Sequence, residues 1–417
     1  MLTHEENELL TRVGPGTPCG ELMRRYWQPA ALCEELPPGG APLPIRLLGE
    51  DLDLFRDDNG RPGLLGIHCA HRGADLSYGR VEDGGLRCIY HGWLYDVHGS
   101  CLEQPGEPTG STFYQKIRHT AYPCQEAGGM VFAYMGPAKP PLLPAFEFLT
   151  VPDSHRYVTK IYHECNYMQA NEGNLDPHHL PFLHRIFSRE TGYFQQGSRQ
   201  VNIPMVVEET DFGVRLFRMH QTGSDVIHAR NTNFILPSLS TIPAGSNEGY
   251  TTNWHVPIDD THHWKYTMEF NRKVPIDPEA ARRARSETDE GYRLARRREN
   301  RYLQDREAMK AQTFAGLGFA FQAHDLWATE GEGPIQDRTQ EHLGSIDRAI
   351  IAMRKALKGA IEDVQAGRDP PLVIRDPAQN RLGRTLATAE DLPSSADWVE
   401  FLREKIRAQE PEPASAH

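Results

Sequence analysis

The sequence predicts an α+β fold, in which a small all-β domain is followed by an antiparallel sheet with helices packed on it. In residues 29–140, short β-prone runs alternate with Gly, Asp and Asn turns. Residues 201–273 carry several further strands, and helical patterns follow over 277–312 and 341–366. Strands followed by helices in this order are typical of an antiparallel sheet with helices on one side.

Local signals predict the individual elements. Thr3 with Glu6 forms a capping-box pattern that predicts a helix over residues 3–13, and a second short helix is expected over 21–27. The segment Tyr167–His184 is predicted to be helical but irregular. The expected strands include Ile45–Leu48, Leu52–Phe55, Met130–Tyr134, Phe212–His220, His228–Leu236 and His263–Asn271.

A proline-rich segment, Gly136–Pro144, predicts a stiff linker between two domains. The expected division is an N-terminal helical segment, an all-β domain, a second domain and a tail, at residues 1–28, 29–140, 141–366 and 367–417. The polar tail is expected to wrap the surface, with Gln409–His417 disordered.

Composition narrows the classes of function. The chain has 45 basic and 57 acidic residues and a formal net charge of −12, which argues against nucleic acid as a partner because phosphate binding favours a basic surface. No stretch approaches the roughly 20 apolar residues that span a bilayer, and there is no apolar signal segment. The seven cysteines are odd in number, so reduced thiols or metal ligands are expected rather than a disulfide framework. We expect a cytoplasmic protein without membrane association.

Cysteine and histidine alternate in a pattern suited to a metal cluster. Cys69-x-His71 is followed by sixteen residues and then by Cys88-x-x-His91. Two thiolates can bind one iron and two imidazoles the other, and replacing thiolates by neutral imidazoles raises the reduction potential of a 2Fe–2S cluster. Zinc accepts the same ligands, but structural zinc sites usually use Cys-x-x-Cys pairs, so the iron–sulfur cluster is the preferred interpretation.

A second set of metal-binding residue types comprises Asp176, His178, His179 and His184. Mononuclear non-haem iron is held by two histidines and one carboxylate, which leave positions open for O2 and substrate. His179 and His184 are five residues apart, so on a regular helix they point about 140° away from each other. They can share a metal only if the helix is distorted, and Pro181 between them favours distortion. His178 can line a pocket or be an ordinary solvated residue, and the second reading is favoured.

The two constellations together resemble those of bacterial Rieske-type ring-hydroxylating oxygenases. The two Cys/His loops, with Trp93 and Asp96 following, are similar to the Rieske domain, and Asp176-x-x-His179 followed by His184 is similar to the signature of the iron domain. The resemblance implies a catalytic domain of helix-grip-like architecture and a mononuclear Fe(II) held by His179 and His184. It implies a Rieske 2Fe–2S cluster held by Cys69, His71, Cys88 and His91.

The resemblance also implies the rest of the iron site. The third ligand is expected in an Asp-(four residues)-Glu stretch, which selects Asp325, with Glu330 and Asp337 as alternatives that are more simply read as solvated charges. In the family an aspartate bridges the iron of one subunit and the Rieske cluster of the next. That position corresponds to Asp176, which would join the iron site to the neighbouring subunit's His91 in a homotrimer or stacked hexamer.

The activity implied is that of an oxygenase component, which uses O2 and electrons from a separate NAD(P)H-dependent reductase to hydroxylate an aromatic substrate. The chain has no dinucleotide-binding fingerprint in a strand–helix context. A Rieske electron-transfer protein without oxygenase activity is an alternative, and His179, His184 and Asp325 together argue against it. A zinc-stabilised binding module is another, and it would be colourless, whereas a Rieske protein is red-brown.

Four segments resemble the phthalate dioxygenase-like branch of this family: Glu5–Pro18, Asn166–Gly173, Trp254–Asp260 and Asp337–Gly344. That branch includes hydroxylases of aromatic acids and oxidative O-demethylases of methoxylated, lignin-type aromatics, and these motifs do not separate the two.

In the same branch an arginine seven residues before a strand-end proline can anchor a substrate carboxylate. This selects Arg230, before Pro237, with Arg218 second, and an ordinary arginine in a sheet is the alternative. An aromatic carboxylate is the favoured substrate.

Overall fold

The computed structural model describes residues 1–137, 139–187, 202–243, 248–284 and 288–409. Its strands form three small antiparallel sheets, which come first in the chain, and one sheet of eight strands. None of the helices in these residues combines the length and the apolar character that a bilayer-spanning helix needs.

The chain begins with two helices, α1 (His4–Thr11) and α2 (Pro18–Met23). The predicted capping box of α1 is confirmed, because the Thr3 hydroxyl accepts from Glu6 N and the Glu6 carboxylate accepts from Thr3 N. Helix α2 begins three residues earlier than predicted. Thr17 caps it, and proline is well suited to a first helical turn because its missing N–H is not needed there.

The first eleven strands build the all-β part: β1 (Trp27–Leu32), β2 (Leu43–Leu47), β3 (Glu50–Arg56), β4 (Pro62–Gly66), β5 (Arg80–Glu82), β6 (Gly85–Arg87), β7 (Leu94–Asp96), β8 (Cys101–Glu103), β9 (Ala121–Tyr122), β10 (Cys124–Ala127) and β11 (Met130–Tyr134). They pair in the orders β1–β11–β10, β2–β3–β4–β9 and β5–β6–β7–β8. The strands predicted in this part are confirmed by β2, β3 and β11. The two Cys/His loops, residues 67–79 and 88–93, precede β5 and β7.

The large sheet is built from β12 (Arg156–His163), β13 (Met205–Thr210), β14 (Gly213–Gln221), β15 (Val226–Ile235), β16 (Leu239–Pro243), β17 (Tyr250–Asp259), β18 (His262–Phe270) and β19 (Ala389–Pro393). Its order is β12–β18–β17–β16–β15–β14–β13, and β19 pairs with β15. The predicted antiparallel sheet is confirmed.

The remaining helices are α3 (Glu147–Thr150), α4 (Tyr167–Leu175), α5 (Leu180–Leu183), α6 (Pro278–Ala284), α7 (Ala308–Ala311), α8 (Phe321–Gly331), α9 (Arg348–Gln365) and α10 (Trp398–Arg407). Helix α9 begins seven residues later than the predicted start at 341. The Asp347 carboxylate accepts from Gly344 N, which closes a turn just before α9.

The predicted long helix over residues 277–312 is wrong. In the described part of this segment only α6 and α7 are α-helical, and Arg301 and Tyr302 adopt left-handed backbone angles between them. The segment is rich in good helix formers, but few of its described residues are apolar and buried, among them Leu294 and Tyr302. These two pack in one small core with Ile161 of β12 and Leu326 of α8, and this tertiary packing overrides the local propensity.

The tail, which was predicted to wrap the surface, also contributes a strand and a helix to the fold. Strand β19 extends the large sheet along β15, and α10 buries Leu402 and Ile406 in the main core. Disorder is predicted for residues 409–417. Of these, only Gln409 lies within the described part of the chain.

The described residues form three apolar cores. The largest runs from Leu10 to Ile406 and joins the β1–β11–β10 sheet to the large sheet. A small one packs α8 against β12, through Leu326 and Ile161. Another small one lies beneath the Cys/His loops and contains side chains such as Leu76, Leu86 and Tyr95. The loops therefore stand on a core of their own.

Candidate functional site

The two Cys/His loops share one backbone pattern. In each, the cysteine N–H donates to the carbonyl five residues later, and the N–H four residues later donates to the cysteine carbonyl, at 2.8–3.0 Å. Gly73 and Gly92 occupy that fourth position with φ of +74° and +75°, a conformation that favours glycine. The glycines therefore allow both loops to turn back toward each other.

The four Cys/His side chains lie in two layers. The thiols of Cys69 and Cys88 are buried, whereas the rings of His71 and His91 are exposed at the tip, with centroids 4.4 Å apart. The Trp93 ring stacks on His71 at 4.5 Å. Burial raises the pKa of Cys88, and the neighbouring Cys69 raises it further. A Cys88 thiolate is thus unfavourable here without a bound cation. An inner sulfur pair with an outer imidazole pair fits a Rieske cluster.

Tyr95 is a neighbour of this region that the sequence analysis did not identify. Its side chain is fully buried, and its hydroxyl lies 3.2 Å from the Cys69 sulfur. A hydrogen bond to a ligand sulfur is one of the ways in which a protein sets the potential of an iron–sulfur cluster.

The second constellation gathers His179, His184 and Asp325. One ligand atom from each lies within 4.8 Å of the others. His184 Nε2 is 2.9 Å and His179 Nε2 is 4.0 Å from the same Asp325 oxygen. The other Asp325 oxygen lies 3.9 Å from Lys265 Nζ. Two imidazole nitrogens and a carboxylate on one side form the donor set of a facial triad.

The predicted helix distortion explains how the two histidines meet. Helix α4 ends at Leu175, and the four-residue α5 begins at Leu180, so the chain between them is not helical. His179 and His184 flank α5 at its two ends, with Pro181 in its first turn. Their ring centroids are 5.1 Å apart.

Asp176 lies at the end of α4 and faces His179. One of its carboxylate oxygens accepts from His178 N at 2.6 Å, and the other is 3.4 Å from His179 Nδ1, longer than a normal hydrogen bond. Burial alone would lower the pKa of His179, but the carboxylates of Asp176 and Asp325 outweigh it and raise that pKa. The same histidine lowers the pKa of Asp176 against the effect of burial.

His324 fixes the tautomer of His184, although no sequence motif pointed to it. His324 Nε2 is 2.9 Å from Gly318 O and must donate to it, since a carbonyl only accepts. Burial lowers the pKa of His324, so the ring is neutral and its Nδ1 accepts from His184 Nδ1 at 3.1 Å. His184 Nε2 is then turned toward the Asp325 carboxylate, 2.9 Å away. This places an imidazole nitrogen and a carboxylate oxygen side by side, which fits a metal site.

The alternative third ligands lie elsewhere. Glu330 is buried rather than solvated, and its two oxygens accept from Tyr302 Oη and Glu164 N. Asp337 is exposed and accepts from Thr339 N. Only Asp325, among the three carboxylates considered, meets the histidines. His178 packs against the Phe182 ring. It does not line the cavity that lies beside the triad.

A buried ion-pair network holds helix α4 in place. The Glu172 carboxylate receives Arg338 Nη2 and Arg354 Nε, each at 2.7 Å. All three side chains are buried, and Arg354 belongs to α9. The network fixes the helix that leads directly to Asp176.

A cavity of about 850 Å³ lies beside the triad and extends along the large sheet. Arg218 on β14 and Arg230 on β15 line it and lie directly opposite each other across the two strands. Both are buried. Burial lowers the pKa of the adjacent His220 to about 3, and the charges of the two arginines contribute to this. The two arginines line the cavity together with the carboxylates of Glu269, Glu390 and Asp391.

Comparisons with known proteins agree with this geometry. Residues 26–120 match the model of the Rieske [2Fe-2S] domain family, and residues 133–415 match that of the LigXa C-terminal domain like family. The chain is 40% identical to phthalate 4,5-dioxygenase oxygenase subunit from Pseudomonas putida over 88% of each chain. It is 35% identical to 5,5'-dehydrodivanillate O-demethylase oxygenase subunit from Sphingobium sp., over 91% of this chain and 85% of that one.

A solved structure of dicamba monooxygenase bound to dicamba shares the fold, with a TM-score of 0.61 at 20% identity. The alignment covers 83% of this chain and 99% of that one.

Proposed function

Because the chain belongs to the oxygenase subunits of the Rieske non-haem iron oxygenases, we propose that its substrate is an aromatic carboxylate. The observation that carries the proposal is the pair Arg218 and Arg230, which lines the cavity that also contains the triad. The cavity volume lies in the range of small-molecule sites, about 300–1,000 Å³.

The arginine pair is suited to an anion. Arg218 and Arg230 are directly opposite each other on neighbouring strands, so both can contact one carboxylate in the cavity. Guanidinium groups also bind carboxylates through two parallel hydrogen bonds. A carboxylate held there orients its aromatic ring within the same cavity, toward His179.

In this proposal the mononuclear iron is held by His179, His184 and Asp325. The Rieske cluster is held by Cys69, His71, Cys88 and His91. When bound, the cluster supplies electrons and the mononuclear iron activates O2. Asp325 supplies one oxygen toward the histidines, His324 keeps the His184 lone pair turned to the metal, and Asp176 orients His179.

We further propose that a separate NAD(P)H-dependent reductase supplies the electrons and that subunits form a homotrimer or stacked hexamer. The exposed rings of His71 and His91 support this, because they are free to meet a neighbouring subunit. Asp176 is about a quarter exposed and can receive such a histidine. A carboxylate between two ligand imidazoles orients both rings. The domain division at Gly136–Pro144 is part of the same proposal.

Oxidative O-demethylation is the second candidate. The chain is 35% identical to an O-demethylase oxygenase subunit, and an aryl methyl ether can occupy the same cavity while its carboxylate contacts the arginines. Both reactions need the same triad, so the products distinguish them.

The test is a substrate screen with the purified protein, a surrogate reductase and NADH. The panel contains benzoate, the three benzenedicarboxylates, methoxybenzoates and the methyl ester of each acid. We expect oxidation of acids but not of their esters, with a hydroxylated ring for the first candidate and formaldehyde for the second. Equal turnover of acids and esters would contradict a carboxylate anchor.

Arg230→Met tests the anchor itself. Hydrogen bonds to charged groups contribute about 1.5–3 kcal/mol, so KM for the acid should rise about 10- to 100-fold. Arg384→Met is the control, because Arg384 pairs with Asp211 away from the cavity and should leave KM unchanged. An unchanged KM in Arg230→Met would remove that residue from the proposal.

A further inference from the structure

A second group of metal-binding side chains lies at the wall of the same cavity, which His163 lines together with the triad. His163, Cys165 and His263 each offer a ligand atom within 4.8 Å of the other two, and all three are buried. His163 ends β12 and pairs across the sheet with His263 on β18. Cys165 lies in the connection from β12 to α4. The group thus joins two strands to the start of the helix that leads to the iron site.

The histidines of this group are in states that favour metal binding. His263 Nδ1 is 2.8 Å from Cys165 O and must donate to it, so its Nε2 carries a lone pair. Metal-binding histidines usually donate their other ring N–H to such a carbonyl. His163 is 2% exposed, and its Nδ1 has no hydrogen-bond partner among the described residues. A buried polar nitrogen without a partner is uncommon and calls for an unseen ligand.

The alternative is an ordinary hydrogen-bonded polar core, and it accounts for only part of the group. His255 Nδ1 lies 3.1 Å from His263 Nε2 and donates to it, and Asn174 Nδ2 donates to His255 Nε2 at 2.9 Å. These hydrogen bonds account for both ring nitrogens of His255 and of His263. It leaves His163 Nδ1 without a partner, so hydrogen bonding does not explain why an imidazole is buried at that position.

We propose that His163, Cys165 and His263 bind one Zn²⁺, with His255 placed to become the fourth ligand. Zinc favours tetrahedral sets of imidazole and thiolate ligands, and closed sets of this kind are structural. His255 is near enough to turn in, since its ring centroid lies 5.1 Å from that of His263. The role inferred is to tie β12 and β18 to the start of α4.

Cys165 is the member of the proposed ligand set that can carry a negative charge, since its other members are imidazoles. Zinc binding displaces the thiol proton to solvent, and the resulting thiolate supplies the negative charge of the site.

The test is metal analysis and zinc-edge X-ray absorption on the holoenzyme after incubation with one equivalent of Zn²⁺ and gel filtration. We expect one zinc per chain with a sulfur neighbour at about 2.3 Å. A single sulfur neighbour identifies this site, because zinc at the His179–His184–Asp325 triad has only nitrogen and oxygen neighbours and zinc in the Cys/His loops has two sulfur neighbours. No retained zinc, or zinc without sulfur, would overturn the proposal.

Two variants separate zinc from a polar core. Cys165→Ser should lose the zinc, whereas Cys124→Ser, which alters a thiol of β10 outside the proposed ligand set, should keep it. His163→Phe should lose zinc and lower the melting temperature. In a metal-free polar core the same change removes an unpartnered nitrogen, so an equal or higher melting temperature with unchanged zinc content would contradict the proposal.

Discussion

Replacing His324 tests how the iron site is held, because this residue touches a proposed ligand and not the metal. His324 accepts from His184 Nδ1 at 3.1 Å and donates to Gly318 O at 2.9 Å. His324→Leu keeps a side chain of similar volume but removes both hydrogen bonds. His184 is then left with a buried N–H that has lost its acceptor, and its ring is free to adopt the other tautomer.

The expected effect is a loss of iron affinity. Partners that orient a ligand histidine typically contribute about 10- to 100-fold in metal affinity. That range corresponds to about 1.4–2.7 kcal/mol and agrees with a penalty of about 1–3 kcal/mol for one buried unsatisfied donor. The Rieske cluster should be unaffected, since it stands on a separate core.

The assay is Fe²⁺ titration of protein depleted of mononuclear iron, with the Rieske absorption as an internal reference. His324→Asn is the matched control, because its oxygen can accept from His184 and its N–H2 can donate to Gly318 O. We expect weak iron binding in the Leu variant and recovery in the Asn variant. Wild-type affinity in His324→Leu would refute the tautomer argument.

Three further outcomes are expected. Tyr95→Phe removes the hydrogen bond to the Cys69 sulfur, and a differential loss of about 1 kcal/mol should lower the reduction potential of the cluster by about 40 mV in a redox titration. Asp53 is fully buried, neither of its oxygens has a hydrogen-bond partner among the described residues, and burial raises its pKa to about 7. Because the folded pKa lies above the unfolded one, this acid stabilises the fold below about pH 4, and the contribution is lost as the pH rises through about 7. Asp53→Asn should therefore melt at a higher temperature than wild type at pH 8, and a lower melting temperature would contradict this. Asp176→Asn should keep both metals and normal reduction of the cluster, while product formation collapses. If Asp176 only closes a turn, the variant should instead lose stability and keep its turnover.

The short motifs of both metal sites could be predicted because each is encoded locally. Cys69 and His71, like His179 and His184, are separated by a few residues, so spacing limits their geometry. The irregular helix was also predictable, since histidines five residues apart cannot share a metal on a regular helix and Pro181 disturbs one. Asp325 required the family resemblance, because spacing alone cannot select one carboxylate among 57 acidic residues.

The remaining features depend on contacts between distant segments. His324 acts only because α8 brings it against His184, 140 residues away. Helix propensity alone predicts a helix over 277–312, but it does not show which side chains the rest of the fold buries. Strand β19 could not be predicted from the tail, because it is short and polar and is a strand only through its pairing with β15.

The most direct test of the central claim, a Rieske cluster and a mononuclear iron in one oxygenase chain, is iron content measured together with the Rieske spectrum and product formation. The wild-type protein is expected to hold the two irons of the cluster and one more. His184→Ala should lose one iron and all product while its Rieske absorption stays unchanged. A wild-type protein with only the cluster irons, or a His184→Ala variant that still forms product, would contradict the account.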